Sequence, residues 1–170
     1  MKSLYRFILA LIATSWVVVV FGIKEGWAIC GMPVWTTSVL LIVVPFTLSF
    51  ISLHSTKLLG RDTLTKCKNI EEVDNSFLSI YLAYFFVGLG VQQVQHLIFV
   101  YLIILIFTYV SQTPFCNPIF LVFGYHFYNT ETPEGTKILL IAKENLRRAN
   151  DVNFENLRRI NDNIYIKWGE

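Results

Sequence analysis

Residues 77–110 read FLSIYLAYFFVGLGVQQVQHLIFVYLIILIFTYV, thirty-four residues without an Asp, Glu, Lys or Arg. A membrane-crossing helix needs about 20 apolar residues at ~1.5 Å each to span ~30 Å of hydrocarbon. One straight helix of this length would reach about 50 Å, which is too long for one crossing. Two short crossings that turn at residues 92–96, the one polar interruption, fit the length better. The alternative is a hairpin buried in a soluble core, but such cores rarely keep so long a run without charge.

The composition agrees with an integral membrane protein. The chain is 54% hydrophobic and only 15% charged, whereas soluble domains contain nearer 25% charged residues. The formal net charge of +2 is too small to indicate nucleic-acid binding by itself. Cys30, Cys67 and Cys116 are odd in number, far apart and without a CxxC spacing. They therefore predict neither a disulfide framework nor a metal site.

Four apolar segments predict an α-helical membrane protein with four transmembrane helices. The first is too long for a signal-peptide core and lacks a clean cleavage pattern, so we interpret it as a retained span. The spans are about 4–23, 34–53, 76–91 and 97–110, with a polar loop at 54–75. Residues 1–112 would then form a four-helix transmembrane domain, and residues 113–170 a small β-rich C-terminal appendage.

The orientation of these spans follows from the distribution of Lys and Arg. Two lie at the N-terminus, four in the loop 54–75 and seven after residue 110, whereas the other side holds only Lys24. Because basic residues are retained in the cytoplasm, we expect both termini and the loop to be cytoplasmic.

The appendage contains strand and turn signals. Residues 119–127 and 137–141 are rich in β-branched, aromatic or aliphatic residues and flank a Gly/Pro turn at 130–135. This arrangement predicts a β-hairpin. Residues 164–168 predict a last strand at the edge of the sheet.

An internal repeat lies in the same appendage. The first copy, residues 144–154, reads ENLRRANDVNF, and the second copy, residues 155–165, reads ENLRRINDNIY. Seven of eleven positions are identical, and we interpret the copies as two similar turn-and-strand units. The repeated basic pairs are candidate partner-binding residues: Arg147, Arg148, Arg158 and Arg159. The alternative is solvated turn charge, offset by the acidic residues of the same repeat.

The sequence contains no motif for catalytic chemistry. His54, His96 and His126 have no second ligand residue at metal-binding spacing, and the chain has no GxSxG, P-loop or Rossmann fingerprint. The predicted spans also lack the ionisable residues that transporters and proton relays place in the membrane. We therefore predict a protein that is not an enzyme, with no catalytic residue, cofactor, metal, small-molecule substrate or direct nucleic-acid contact.

Two functional hypotheses remain. The first is a membrane sensor and scaffold, whose cytoplasmic parts bind or release a soluble partner as the state of the bilayer changes. The second is an oligomeric pore-forming membrane effector with a hydrophobic gate. Expression of the chain alone should be harmless under the first hypothesis and should collapse the membrane potential under the second.

The tail carries a family resemblance. Residues 123–148, FGYHFYNTETPEGTKILLIAKENLRR, and residues 161–168, NDNIYIKW, follow four uncharged spans and resemble the KwaA family, the membrane subunits of the Kiwa anti-phage defence system. The resemblance implies a multi-pass sensor in the bacterial inner membrane that assembles as a homo-oligomer, a tetramer. It implies a cytoplasmic DNA-binding effector, KwaB, as the partner that receives the signal of envelope disturbance. It also implies that this chain carries no catalysis of its own.

Overall fold

The computed structural model describes residues 2–29, 31–64, 67–110, 117, 119–133, 135–149, 152 and 154–167. Four helices make up most of the first two thirds of the chain, and a fifth, short helix leads into the tail. They are α1 (Lys2–Lys24), α2 (Val34–Ser55), α3 (Asp74–Gly90), α4 (Val94–Val110) and α5 (Ile119–Val122). A single 3-10 turn, Thr56–Leu58, extends α2.

Six strands form one mixed sheet. They are β1 (Arg61–Leu64), β2 (Asn69–Glu72), β3 (His126–Glu131), β4 (Lys137–Ala142), β5 (Phe154–Asn161) and β6 (Ile164–Lys167). Their order across the sheet is β1-β5-β6-β4-β3-β2. Strands β4 and β6 are parallel, and the other neighbouring pairs are antiparallel.

Helix α1 is the centre of the helical layer. It packs against α2, α3 and α4, and its residues Ala10, Val17 and Phe21 are completely buried. At one end of α1 the Ser3 hydroxyl lies 2.9 Å from the hydroxyl of Tyr109 in α4. At the other end Lys24 Nζ donates to a carbonyl just after α3, at 2.5 Å. The α3–α4 hairpin therefore contacts α1 near both of its ends.

The fold class predicted from the sequence is wrong. Within the residues that the structure describes, only two helical segments, Ser3–Lys24 and Val34–Leu58, are long and apolar enough to cross a membrane by length and composition. Helices α3 and α4 have 17 residues each, so each reaches about 25 Å, short of the ~30 Å of a hydrocarbon core. The structure is therefore not the predicted four-helix membrane protein with a small β-rich appendage.

The sheet also differs from a C-terminal appendage. Strands β1 and β2 come from the predicted loop 54–75 and occupy the two edges of the sheet, so tail and loop form one unit. Their sequences RDTL and NIEE show little of the apolar alternation that marks strands. The predicted domain boundary after residue 112 lies outside the described residues.

The strand predictions for the tail had mixed outcomes. Strand β4 confirms the segment 137–141, and it pairs with β3 as the predicted hairpin. The segment 119–127 is wrong as one strand, because its first four residues form α5, the chain turns at Gly124, whose φ is +77°, and β3 begins only at His126. The last strand is β6, but it lies between β5 and β4 and is not an edge; residue 168 is outside the described part.

The two faces of the sheet carry different cores. One face packs against the helices through residues such as Phe127, Ile141 and Ile166, together with Phe77 of α3 and Phe120 of α5. We call it the helix-facing side. The opposite side has its own apolar cluster around Tyr128, Leu140 and Leu157, which also contains residues of the segment after β4. The sheet is thus sandwiched between the helix ends and that segment.

Candidate functional site at the helix–sheet joint

The chain passes from the sheet to the helices almost without a linker. Strand β2 ends at Glu72, and α3 begins at Asp74. The Asp74 carboxylate accepts a hydrogen bond from the backbone N–H of Phe127 at 2.7 Å through Oδ1. Its Oδ2 lies 2.8 Å from His126 Nδ1. The single residue between strand and helix, Val73, donates its N–H to the Phe127 carbonyl. The first turn of α3 is therefore fastened to the start of β3.

Glu72, Asp74 and His126 bring atoms of metal-ligand type within 4.8 Å of one another. Both Asp74 oxygens and His126 Nδ1 already bond within the protein. We therefore assign this group a structural role, as the polar clasp between α3 and β3. Sequence reasoning found no partner for His126, since Asp74 is 52 positions away along the chain.

Asn117 is a second polar contact at the joint. Its side chain is only 1% exposed. Its Nδ2 donates to the Ser49 hydroxyl of α2 at 2.5 Å. Its Oδ1 accepts from the Tyr81 hydroxyl of α3 at 3.4 Å and from the Ile119 N–H of α5 at 3.1 Å. One buried amide thus connects two long helices with the short helix that leads into β3.

Aromatic rings complete the joint. The Phe127 ring lies 5.0 Å from that of Phe77 in α3 and 6.5 Å from that of Phe120 in α5, between centroids. Phe127 is fully buried, and Phe77 and Phe120 are nearly so. Such close packing transmits displacement, because protein interiors have few voids to absorb it.

The four predicted arginines do not share one environment. Arg158 and Arg159 are neighbours in β5, so their side chains leave opposite sides of the sheet. Arg158 Nη1 donates to the Leu59 carbonyl at 3.1 Å, and Arg159 Nη2 pairs with Asp162 Oδ1 at 2.8 Å. The structure therefore does not bring this second pair together on one side, and partner binding by these residues stays a prediction.

The first pair lies on a separate segment. Arg147 and Arg148 follow β4 and are exposed. Their segment is held against the sheet by Tyr128, whose hydroxyl donates to the Glu144 carbonyl at 2.9 Å and accepts from the Leu146 N–H at 3.2 Å. This arrangement anchors the first copy of the repeat while it leaves the two guanidinium groups on the surface.

The two copies of the repeat converge on one core although their backbones differ. The second copy is strand β5 and the start of β6, whereas residues 144–149 of the first copy form no strand. The equivalent residues Leu146 and Leu157 both belong to the apolar cluster on the far side of the sheet. So do Phe154 and Tyr165, the last residues of the two copies. The two copies of the repeat thus share contacts with one apolar cluster, although they do not form the same secondary-structure element.

Burial raises the pKa of two groups of this cluster. It raises the pKa of the Tyr128 hydroxyl above its ordinary value, and the negative charges of Glu72 and Asp74 add to this effect. Burial also raises the pKa of the Cys67 thiol. Tyr128 therefore stays neutral at physiological pH and can keep donating its hydrogen bond, and Cys67 is a poor nucleophile.

An open cavity of about 420 Å³ lies farther along the helix-facing side of the sheet. On the floor of this cavity, Glu71 of β2 lies opposite Asn129 of β3, and Asn129 lies opposite Leu139 of β4. The side chains of Glu71, Asn129 and Glu131 make no hydrogen bond or ion pair within the ranges that the structure describes. The floor of the cavity is therefore lined by polar side chains.

Comparison with known proteins identifies the family. The family model of the anti-phage protein KwaA matches residues 5–166, which is nearly the whole chain and runs from α1 to β6. This chain belongs to the KwaA family. It is therefore an anti-phage defence protein of the Kiwa type, and the resemblance inferred from the tail is confirmed. No curated protein and no solved structure matches the chain.

The KwaA match covers residues that sequence reasoning did not single out. Asp74 and Asn117 belong to no sequence motif, and the residues that bond to them come from distant elements of the chain. The one available signal was position: Asp74 opens α3, and Asn117 precedes a proline in a segment read only as a helix interruption. That signal marks a boundary but gives no partner.

Proposed function

We propose that this KwaA-family chain is a membrane sensor and scaffold that holds a cytoplasmic DNA-binding effector and relays envelope disturbance to it. The chain would be anchored through α1 and α2 in the bacterial inner membrane, with its termini and sheet in the cytoplasm, and it would act as a homo-oligomer without catalysis of its own. The family supports the defence context, and the joint between helices and sheet supports the relay.

The observation that carries this proposal is the direct attachment of α3 to the sheet. Strand β2 and helix α3 are separated by one residue, and the Asp74 clasp leaves no flexible linker there. Because α3 and α4 lie along α1, a tilt or shift of the anchor moves α3 and therefore β2 and β3. Bilayer thickness and tension change the tilt of membrane helices at a modest energetic cost.

Charge distribution supports the proposed orientation. With α1 and α2 as crossings, the segment between them, residues 25–33, carries no Lys or Arg, and Lys24 lies at its border. The other thirteen of the fourteen basic residues lie on the side of the sheet. Under the positive-inside rule this distribution favours a cytoplasmic sheet, on the side where DNA is accessible.

The proposed contact surface for the effector is the exposed segment with Arg147 and Arg148. It lies on the side of the sheet away from the helices, so a large soluble partner can approach without meeting the bilayer. A DNA-binding effector that also presents acidic residues would be complementary to this pair.

The test is capture of the effector by membranes that contain the full chain. The double variant Arg147→Ala/Arg148→Ala should weaken capture about threefold to tenfold, since each exposed charge contributes roughly 0.2–1 kcal/mol. Lys68→Ala, an exposed lysine in the link between β1 and β2, is the control and should capture normally. Equal capture by the double variant would remove this surface from the proposal. A collapse of membrane potential on expression of the chain alone would favour the pore-forming function instead.

A further inference from the structure

A small hollow lies where α2 ends beside the sheet. Its volume is about 200 Å³, and it is lined by Phe50, Leu53 and His54 of α2, by Phe123 and Tyr125 before β3, and by Lys143 after β4. The Phe50 and Phe123 rings meet edge to face at 5.8 Å. These three elements are distant in sequence, and together they make a pocket with an aromatic floor.

The hollow contains one positively charged side chain, that of Lys143. Lys143 is exposed and makes no ion pair within the described part of the chain. Its ammonium lies 5.0 Å above the Tyr125 ring. The neighbouring carboxylate, Glu144, is engaged by Lys167 instead. The imidazole of His54 lies at the same rim and packs on the Phe50 ring at 4.7 Å between centroids.

An apolar stripe continues from the hollow along α2. Val39, Val43 and Phe50 follow helical spacing and are 54%, 46% and 52% exposed. The hollow is too small for an entire lipid, since pockets for drug-sized ligands already measure about 300–1,000 Å³. It can hold a headgroup and the upper part of one acyl chain, and the rest of the chain can lie along the stripe.

We propose that this hollow binds one anionic phospholipid, with its phosphate at Lys143 and an acyl chain on Phe50, Phe123 and the α2 stripe. This inference rests on the proposed membrane location of α2. Basic pockets at the cytoplasmic ends of membrane helices recognise anionic headgroups in this way. Because Lys143 directly follows β4, a bound lipid would tie the sheet to the bilayer at a second point, beside the α3 joint.

Lipid retention on the full chain tests the inference. The protein is purified in detergent and titrated with phosphatidylglycerol or phosphatidylcholine, and bound lipids are counted by native mass spectrometry. The wild type should prefer phosphatidylglycerol, and Lys143→Gln should lower that preference about fivefold to tenfold because a charge-assisted hydrogen bond is lost. Lys143→Arg should keep the preference. Lys137→Gln, at the opposite end of β4, is the matched control and should behave as wild type.

Four outcomes would overturn the inference. The first is an unchanged preference in Lys143→Gln. The second is displacement of the lipid by glycerol phosphate or inorganic phosphate at equal concentration, since the site would then take a soluble anion. The third is release of the wild-type chain from membranes by alkaline carbonate, which would also overturn the proposed membrane function. A chain that stays in the membrane but shows no lipid preference would contradict the lipid site alone.

Discussion

Single residues at the joint carry contacts that no local pattern could give. Asp74 bonds to β3 and Asn117 bonds to α2 and α3, and in each case the partner lies tens of residues away. A sequence pattern describes a residue by its neighbours along the chain, so it could place these two only at boundaries. The exposed pair Arg147–Arg148 could be singled out, because a doubled basic motif is visible without knowledge of the fold, and its role in partner binding stays a prediction.

At this scale, removal of the Asp74 carboxylate should lower the stability of the chain. Asp74→Ala leaves the Phe127 N–H and the His126 ring without their acceptor, so the free energy of unfolding should fall by about 1–3 kcal/mol. Thermal unfolding of the full chain in detergent measures this change. Asn75→Ala alters the exposed neighbour in the same helical turn and should leave the midpoint almost unchanged. Equal midpoints for Asp74→Ala and the wild type would mean that the clasp contributes nothing.

At the scale of elements, the helices were predictable and the strands only in part. Long apolar runs predict α1 to α4 with small errors at the ends, because an apolar run of that length rarely forms anything other than a helix. The repeat shows the limit. The same five residues, ENLRR, form part of β5 in the second copy and an irregular segment in the first. Pairing with β1 and β6 decides this difference, and strand propensity depends strongly on such context.

The packing of α3 on α1 gives a prediction with an internal control. A Cβ added at Gly88 would lie 2.9 Å from the Val17 carbonyl oxygen and 2.9 Å from Val20 Cβ, whereas one at Gly90 would meet nothing within 4 Å. Gly88→Ala should therefore destabilise the chain by about 1–3 kcal/mol through overpacking. Gly90→Ala should be neutral or slightly stabilising. Thermal unfolding of both variants checks this, and a Gly90→Ala midpoint as low as that of Gly88→Ala would refute the packing assignment.

At the scale of the whole molecule, the sheet joins parts of the chain that the sequence seemed to separate. Strands β1 and β2 come from between α2 and α3 and close the two edges of a sheet whose middle is the C-terminal tail. Short, charged strands such as RDTL give no signal of this assembly, because their stability comes from partners across the sheet. The family was nevertheless identifiable, since the tail motif and the uncharged spans are local features.

Because α3 is attached to the sheet, the proposed sensing and scaffolding both depend on whether α3 and the sheet move together. If α3 and the sheet move together, a disturbance of the anchor would alter the proposed effector surface. If they move independently, the chain would be only an anchor. Asn117 is the residue at which the two cases can be separated, because its amide connects α2, α3 and α5.

The measurement that tests the relay most directly is the amount of DNA-binding effector held on membranes before and after phage adsorption. It is compared between the wild type and Asn117→Leu, at equal amounts of chain in the membrane. We expect the wild type to hold the effector and to change the held amount severalfold on adsorption. We expect Asn117→Leu to hold a similar initial amount without that change. Membranes of the wild type that hold no effector, or an equal response in the variant, would contradict the account.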